Sequence, residues 1–232
     1  MVFIDMHVHS RYSDGTSSIK DLLKMVKKLR TGIAITDHNV ITGAVEAYKD
    51  KKALVIPGIE VGSSDFRHLL LYFYNTSELK EFYEKEIAPA RIKHRFDFYR
   101  TKLPLVYLLE RIKNYNCLSV AAHPTIPKIK WQEKYLLQVH AMEVINSSVP
   151  AKYNAQAFKY SDELKMPKTA GSDSHSIKHL NSAGIITEEE NIESIFKAIK
   201  KSKTQIAGSS YTPIQNFRHF LIASKSVLKV KK

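Results

Sequence analysis

Cysteine is nearly absent. Cys117 stands alone among 232 residues, which excludes an intrachain disulfide and fits a reducing compartment. No CxxC pair exists, so thiolate metal chemistry is not indicated. Glycine is also scarce, at 8 residues. The chain has no glycine-rich loop to cradle phosphates, no Gly-x-Ser-x-Gly nucleophile elbow and no Gly/Ser linker. Its longest apolar run, near 68–74, falls far short of the roughly 20 residues that a membrane span needs. The opening residues, MVFIDMHVHS, lack the basic segment and apolar run of an export signal. The expectation is a soluble cytoplasmic protein without a membrane partner.

Acidic charge is the minority sign: 36 Lys and Arg oppose 23 Asp and Glu, a net +13. Much of the excess is lysine on helix-like segments and at the tail, such as Lys24, Lys27, Lys28, Lys197, Lys200, Lys229 and Lys231. A solvated surface explains this, and so does attraction for polyanions or phosphorylated substrates. With 44% apolar and 25% charged residues, the composition is that of a folded globular chain, and the length suits one domain over 1–232.

Short β-rich apolar runs alternate with helical patterns, the signature of β/α units around a mainly parallel sheet or barrel. Strands are expected at 3–6, 32–36, 54–57, 68–73, 118–121, 141–145, 168–170 and 183–186. Helices are expected at 19–29, 42–48, 76–87, 104–114, 151–164 and 191–200. Ser18 or Thr16 is placed to cap the first helix, whose apolar stripe is Ile19, Leu22, Leu23, Val26 and Leu29. The Arg- and aromatic-rich stretch at about 75–116 reads as a helical elaboration, and a basic extension begins near 204.

Histidines and acids recur at the ends of the expected strands. In a β/α barrel those ends share one mouth, where sites are built. His7 and His9 end the first strand, and a spacing of two puts both imidazoles on one face. Asp14 follows in a loop, Asp37-His38 ends the second strand and Glu60 follows the third. His68 opens the fourth, His123-Pro124 ends the fifth, and Asp173-Ser174-His175 follows the seventh. Each position alone has an ordinary structural reading: a hydrogen-bonded strand end, a turn at Asp14-Gly15, a helix cap at Asp37. Together, six histidines and three carboxylates make a ligand set of one chemical kind. The other four, His94, His140, His179 and His219, read as structural or surface residues. Nitrogen and oxygen ligands suit zinc, manganese or iron, and nine candidates exceed what one ion uses. Two or three divalent ions are expected, an arrangement suited to phosphate-ester hydrolysis.

The ordered series Asp5-x-His7-x-His9-Ser10, Ser13-Asp14-Gly15, Thr36-Asp37-His38-Asn39, Gly58-Ile59-Glu60-Val61, His68-Leu69-Leu70, His123-Pro124 and Gly171-Ser172-Asp173-Ser174-His175 resembles the PHP (polymerase and histidinol phosphatase) family from Met1 to about Thr187. The resemblance implies a distorted (βα)7 TIM-like barrel with a trinuclear metal centre at its carboxyl mouth. It implies that His7, His9 and Asp173 hold one ion, that Glu60 bridges to a second held by His68 and His123, and that Asp14, His38 and His175 hold a third. Asp37 would orient its neighbour or cap a helix, and Asn146 matches a pattern near the pocket. The implied chemistry is in-line attack of a metal-bridging hydroxide on a phosphate monoester, with Asp173, His175 and Glu60 in the water-activating centre. A small phosphorylated metabolite or nucleotide is the expected substrate, and Arg91, Arg95, Arg100 and Arg111 are candidates for a phosphate clamp.

Three alternatives follow. The net charge suits a nuclease trimming single-stranded oligonucleotides. A nucleic-acid-binding subunit on the same scaffold, as in some archaeal ribonuclease P proteins, would not need intact ligands. The amidohydrolase superfamily shares the opening His-x-His, although the Glu60, His123-Pro124 and Ser-Asp-Ser-His combination points away from it.

Overall fold

The structure, a computed structural model, describes residues 1–92 and 101–212. The chain runs β1 (Val2–Val8), α1 (Ile19–Leu29), β2 (Gly32–Ile35), α2 (Thr42–Ala47), β3 (Leu54–Gly62), β4 (His68–Phe73), α3 (Thr76–Phe82) and α4 (Leu105–Arg111). It continues through β5 (Cys117–Ala121), α5 (Glu133–Leu136), β6 (Ala141–Asn146), α6 (Ala151–Glu163), β7 (Lys168–Gly171), β8 (Ala183–Thr187), α7 (Ile192–Lys200) and β9 (Gln205–Gly208). The strands form one sheet in the order β7-β6-β5-β4-β3-β2-β1-β8-β9. Pairing is parallel from β1 to β3 and from β5 to β7, whereas β4 runs antiparallel to both neighbours.

The sheet curls almost shut. Beyond β7, Ser174 bridges Val8, and the His9 amide donates to the Ser174 carbonyl at 3.0 Å. Antiparallel β8 takes the other half of the same β1 edge, along Val2–Ile4. The result is the distorted α/β barrel that the sequence led us to expect. Its distortion lies in the β3–β4 hairpin, which has no crossover helix.

Two apolar layers hold the barrel. Ile4, Met6, Ala34, Ile56, Leu70, Tyr72, Val120 and Ile185 fill its interior below the mouth. Ile33, Ile35, Val55, Leu71 and Phe73 point outward onto helices, α1 contributing Ile19, Leu22, Leu23 and Val26. Each such side chain, fully buried, contributes roughly 1.5–3 kcal/mol. Leu29, expected in the α1 stripe, is instead 49% exposed, since Arg30 turns the chain into the left-handed region just after it. Ser18 caps α1, its hydroxyl accepting from the Asp21 amide.

Boundaries differ from expectation where proline and glycine misled. Pro57-Gly58 reads as a strand end, yet β3 runs on to Gly62. Pro57 lies opposite Ile35, the last residue of β2, and beyond it β3 takes its hydrogen bonds from β4. Glu60 is therefore inside a strand rather than after one. The helix expected over 76–87 ends at Phe82 and continues as a π turn over Tyr83–Ile87. Of the four histidines set apart, His140 and His179 are described. His140 Nδ1 stands 2.8 Å from the Ser119 hydroxyl, and His179 packs its ring on Tyr211. His94 and His219 lie outside the described residues.

Gly171 marks the tightest point of closure. A Cβ built there would stand 2.3 Å from the His7 Cβ and 2.6 Å from the His7 nitrogen. Gly171→Ala is expected to cost about 1–3 kcal/mol through overpacking, read as a lower urea midpoint at unchanged m-value. A second expectation concerns acid. Burial, with Lys200 second, lowers the His140 pKa from 6.5 to about 4, so the unfolded chain takes the proton more readily. Stability that is present above about pH 6.5 is lost as pH falls toward 4. His140→Asn keeps an acceptor near Ser119 and removes the titration. Its urea midpoint should fall less between these pH values than that of the parent, and equal losses would refute the assignment.

Candidate metal centre

All nine expected ligands converge at one mouth of the barrel. His7 lies in β1 and His9 just beyond it, His38 follows β2, and Glu60 sits in β3 facing it through an isolated bridge. His68 opens β4, and because that strand runs antiparallel its amino end lies at the mouth with the carboxyl ends of the others. His123 follows β5, and Asp173 and His175 follow β7. Asp14 arrives from the β1–α1 loop, where Gly15 passes so close that an added Cβ would meet the His9 carbonyl oxygen at 2.4 Å.

Backbone irregularities aim these groups. The β1–β2 register shifts between Asp5 and Val8, so β1 carries one extra residue there. Ile4 points into the barrel, and the bulge lets His7 and His9 point inward as well, although strict alternation from Ile4 would have turned both outward. A second register shift falls between Glu143 and Ile145 of β6, across the barrel from the first. His123 (φ 32°) and Asp173 (φ 51°) adopt left-handed backbone, a strain on the order of 1–3 kcal/mol each that clusters at functional sites.

Glu60 is the hub. Its Oε2 lies 3.3 Å from His7 Nε2, 3.3 Å from His9 Nε2 and 3.0 Å from His38 Nδ1, yet makes no hydrogen bond. Its Oε1 lies 2.8 Å from His68 Nδ1 and 3.3 Å from His123 Nε2. The two imidazoles of the His-x-His pair face each other at 3.1 Å between Nε2 atoms. Asp173 Oδ1 is 3.1 Å from His9 Nε2, and Asp14 Oδ2 is 2.9 Å from His175 Nε2. Nitrogen and carboxylate lone pairs packed this densely, away from water, fit cations between them. Three overlapping groups could hold a metal ion: His9, Asp14, His38 and His175; His7, His9 and Glu60; and His38, Glu60 and His68. His9 falls with the Asp14 group as well as with His7, which differs from the partition implied by the family resemblance.

The electrostatics point the same way. Burial alone would raise the Glu60 pKa, but His38, His68 and His7 override it and hold the carboxylate well below its usual range. Asp173 is held low against burial by His7, His9 and His175. Burial and the neighbouring His175 and His38 take His9 down to about 4, while His175, despite burial, is raised to about 9 by Asp14. The acids are thus held ionised, the state in which they bind metals, whereas His7, His38, His123 and His175, pushed up by the same acids, must give up a proton when a cation takes its place among them.

Sequence reasoning missed the residues behind the ligands. Buried Glu143 receives His7 Nδ1 at 2.8 Å on one oxygen, and the His123 amide at 2.9 Å and Asn146 Nδ2 at 3.0 Å on the other. The signal was available as an acid flanked by apolar residues, Met142 and Val144, in the strand Ala141–Asn146. Asn146, noted in sequence without a clear role, also donates to Asp173 at 3.3 Å. Asp37 caps no helix. It accepts from the Ser10 amide and hydroxyl and the Ser13 hydroxyl, all at 2.7 Å, and so shapes the loop between His9 and Asp14. Of the four arginines considered for a phosphate clamp, Arg111 is held bidentate by Glu86 at 2.8 and 2.7 Å. Arg91 pairs by backbone with Thr101, and Arg95 and Arg100 lie outside the described residues.

The family model for the PHP domain matches residues 5–203. The chain belongs to the PHP domain family. DNA polymerase III subunit alpha of Borreliella burgdorferi is 29% identical over 237 residues, covering 86% of this chain but 20% of that protein, so the chain spans about a fifth of that relative. Among solved structures, the lesion-specific endonuclease Q of Pyrococcus furiosus aligns over 88% of this chain and 57% of its own, at 19% identity and a TM-score of 0.68. A two-domain Bacteroides vulgatus protein containing a predicted PHP-like metal-dependent phosphoesterase aligns over 95% and 69%, at 15% identity and a TM-score of 0.66. Among the described residues no helix is long and apolar enough to cross a membrane.

Glu143 supplies the test of the supporting layer. Glu143→Gln should weaken metal binding by about 10–100-fold, the usual cost of removing an outer-shell carboxylate, measured by chelator competition with Mn²⁺ or Zn²⁺. Unchanged affinity would leave Glu143 a packing residue.

Proposed function

We propose that this PHP protein hydrolyses phosphate esters at a centre of two or three divalent ions held by His7, His9, Asp14, His38, Glu60, His68, His123, Asp173 and His175. The observation that carries the reading is the Glu60 carboxylate, buried and ringed by five imidazoles, with one oxygen making no hydrogen bond. Zinc, manganese and iron all suit nitrogen and oxygen donors of this kind. Divalent ions bound there would lower the pKa of water and neutralise charge on the phosphoryl oxygens.

The chain's own residues do the rest. Glu143 fixes the His7 ring through Nδ1 and leaves Nε2 directed inward. Asp37 holds the Ser10–Ser13 loop so that His9 and Asp14 keep their positions. Asp173 and His68 are the ligands most open to solvent, at 14% and 20% side-chain exposure, and they mark where a phosphate enters. A phosphomonoester of a small metabolite or nucleotide is the first reading. Trimming of oligonucleotides is the second, supported by the net charge of +13 and by the likeness to an endonuclease.

Protein loaded with Mn²⁺, Zn²⁺ or Fe²⁺ should release inorganic phosphate from members of a phosphomonoester panel. Glu60→Gln should slow that release by roughly a hundredfold or more, the scale of losing one preorganised charged group. No release from any ester by fully metallated protein would overturn the proposal.

A further inference from the structure

Asp173 lies beyond β7, off the sheet, in left-handed backbone. Its side chain is more open than those of His7, His9, Asp14 and Glu60. Its two oxygens have different surroundings. Oδ1 faces the imidazoles, 3.1 Å from His9 Nε2 and 3.6 Å from His7 Nε2. Oδ2 faces the turn after β6, where it accepts the Ser148 hydroxyl at 2.5 Å and Asn146 Nδ2 at 3.3 Å. A serine hydroxyl has one proton to donate. Ser148 Oγ also lies 2.7 Å from Asn146 Oδ1, but the Ser148 amide already donates to that oxygen at 3.0 Å. The carboxylate is the nearer acceptor and the charged one, at the length of a charge-assisted O–H···O⁻ bond, so the proton goes there.

The turn that carries Ser148 is itself fixed. The Ser147 amide donates to the Gly171 carbonyl at 3.1 Å, and the Ser147 carbonyl accepts from the Tyr211 amide at 2.7 Å. The Val149 amide donates to the Asn146 carbonyl at 3.1 Å, and Pro150 then leads into α6. Asn146 Nδ2 reaches both Glu143 and Asp173, and Glu143 receives His7 Nδ1. One run of hydrogen bonds thus joins His7 to Asp173 behind the centre, and Ser148 is its last member.

We propose that Ser148 is a positioning residue: its hydroxyl occupies Asp173 Oδ2, so that the carboxylate offers a divalent ion one oxygen, Oδ1, rather than two. The inference rests on reading this mouth as a metal centre and is independent of which ester is cleaved. A carboxylate engages a cation through one oxygen or through both. A catalytic centre differs from a structural one in keeping a position for water or substrate. Asp173 stands on the open side of the centre, where a second carboxylate oxygen would fill that position. Asn146 alone holds Oδ2 weakly, because 3.3 Å is beyond the usual hydrogen-bond length. Ser148, seated on a turn pinned to β7 and to Tyr211, supplies the short bond that keeps Oδ2 turned away.

The test compares the full chain with Ser148→Val and Ser148→Thr, two side chains of one shape that differ in the hydroxyl. Ser148→Ala, the smaller change, is the second variant without a hydroxyl and should behave like Ser148→Val. Water-proton relaxation of Mn²⁺-loaded protein counts the waters that exchange on the bound ions. Parent and Ser148→Thr should agree, whereas Ser148→Val should lose about one water as Asp173 engages with both oxygens. Its Mn²⁺ affinity, by chelator competition, should be at least parental. Its kcat on p-nitrophenyl phosphate should fall about 10–100-fold, the scale of losing an outer-shell partner, and Ser148→Thr should restore it. A packing role would move Val and Thr together. Equal water counts in all the proteins, or equal losses in Ser148→Val and Ser148→Thr, would overturn the inference. Weaker Mn²⁺ binding by Ser148→Val with an unchanged water count would overturn it too. If the parent binds Mn²⁺ and cleaves no ester while the water counts behave as expected, the catalytic reading fails and the role of Ser148 stands. A parent that binds no Mn²⁺ would overturn both.

Discussion

Placing an ionised carboxylate inside a barrel of this size is costly unless charge meets it from every side. Glu60 is 1% exposed and is surrounded by His7, His9, His38, His68 and His123. The desolvation of such a group amounts to several kcal/mol, and partial pairing does not recover it. The mouth of the barrel therefore cannot be a passive end to the apolar interior of Ile4, Met6, Leu70 and Tyr72. It is a polar layer whose groups repel or attract one another according to what sits between them, and divalent cations are the entities that reconcile all of them at once. The supporting bonds from Glu143, Asn146 and Asp37 hold that layer in register so that cations find ligands already aimed.

Much of this was legible in the sequence, for a physical reason. Strand positions follow from β-branched and apolar runs, and the mouth of a β/α barrel gathers strand ends, so a histidine at each end implies convergence. The nine candidate residues do lie together at one mouth. What local pattern could not carry was whatever depends on partners distant in sequence. The bulge that turns His7 inward exists because β1 must match β2, the extension of β3 past Pro57 exists because β4 offers hydrogen bonds there, and Glu143 matters because His7 lies across the barrel from it. Arg111 misled for the same reason: its partner, Glu86, is an acid that spacing alone does not reveal.

The antiparallel strand β4 resolves a geometric difficulty. Parallel strands deliver side chains from their carboxyl ends, each followed by a loop that must cross back over a helix. The β3–β4 hairpin brings Glu60 and His68 to the same place from opposite directions, with only a short turn between them. Two groups that meet at 2.8 Å are thereby fixed by ladder hydrogen bonds rather than by a long loop, which is the more rigid way to hold a constellation.

The bond from the His9 amide to the Ser174 carbonyl joins residues that lie at opposite ends of the sheet's winding. Ligands from the first strand have no complete coordination sphere until the segment after β7 has been made and folded against them. A ribosome emitting this chain thus exposes the His7–His9 pair long before Asp173 and His175, and the mouth cannot close until the segment after β7 has arrived. The seating of Gly171 against His7 is consequently the step that carries Asp173 and His175 up to the first strand.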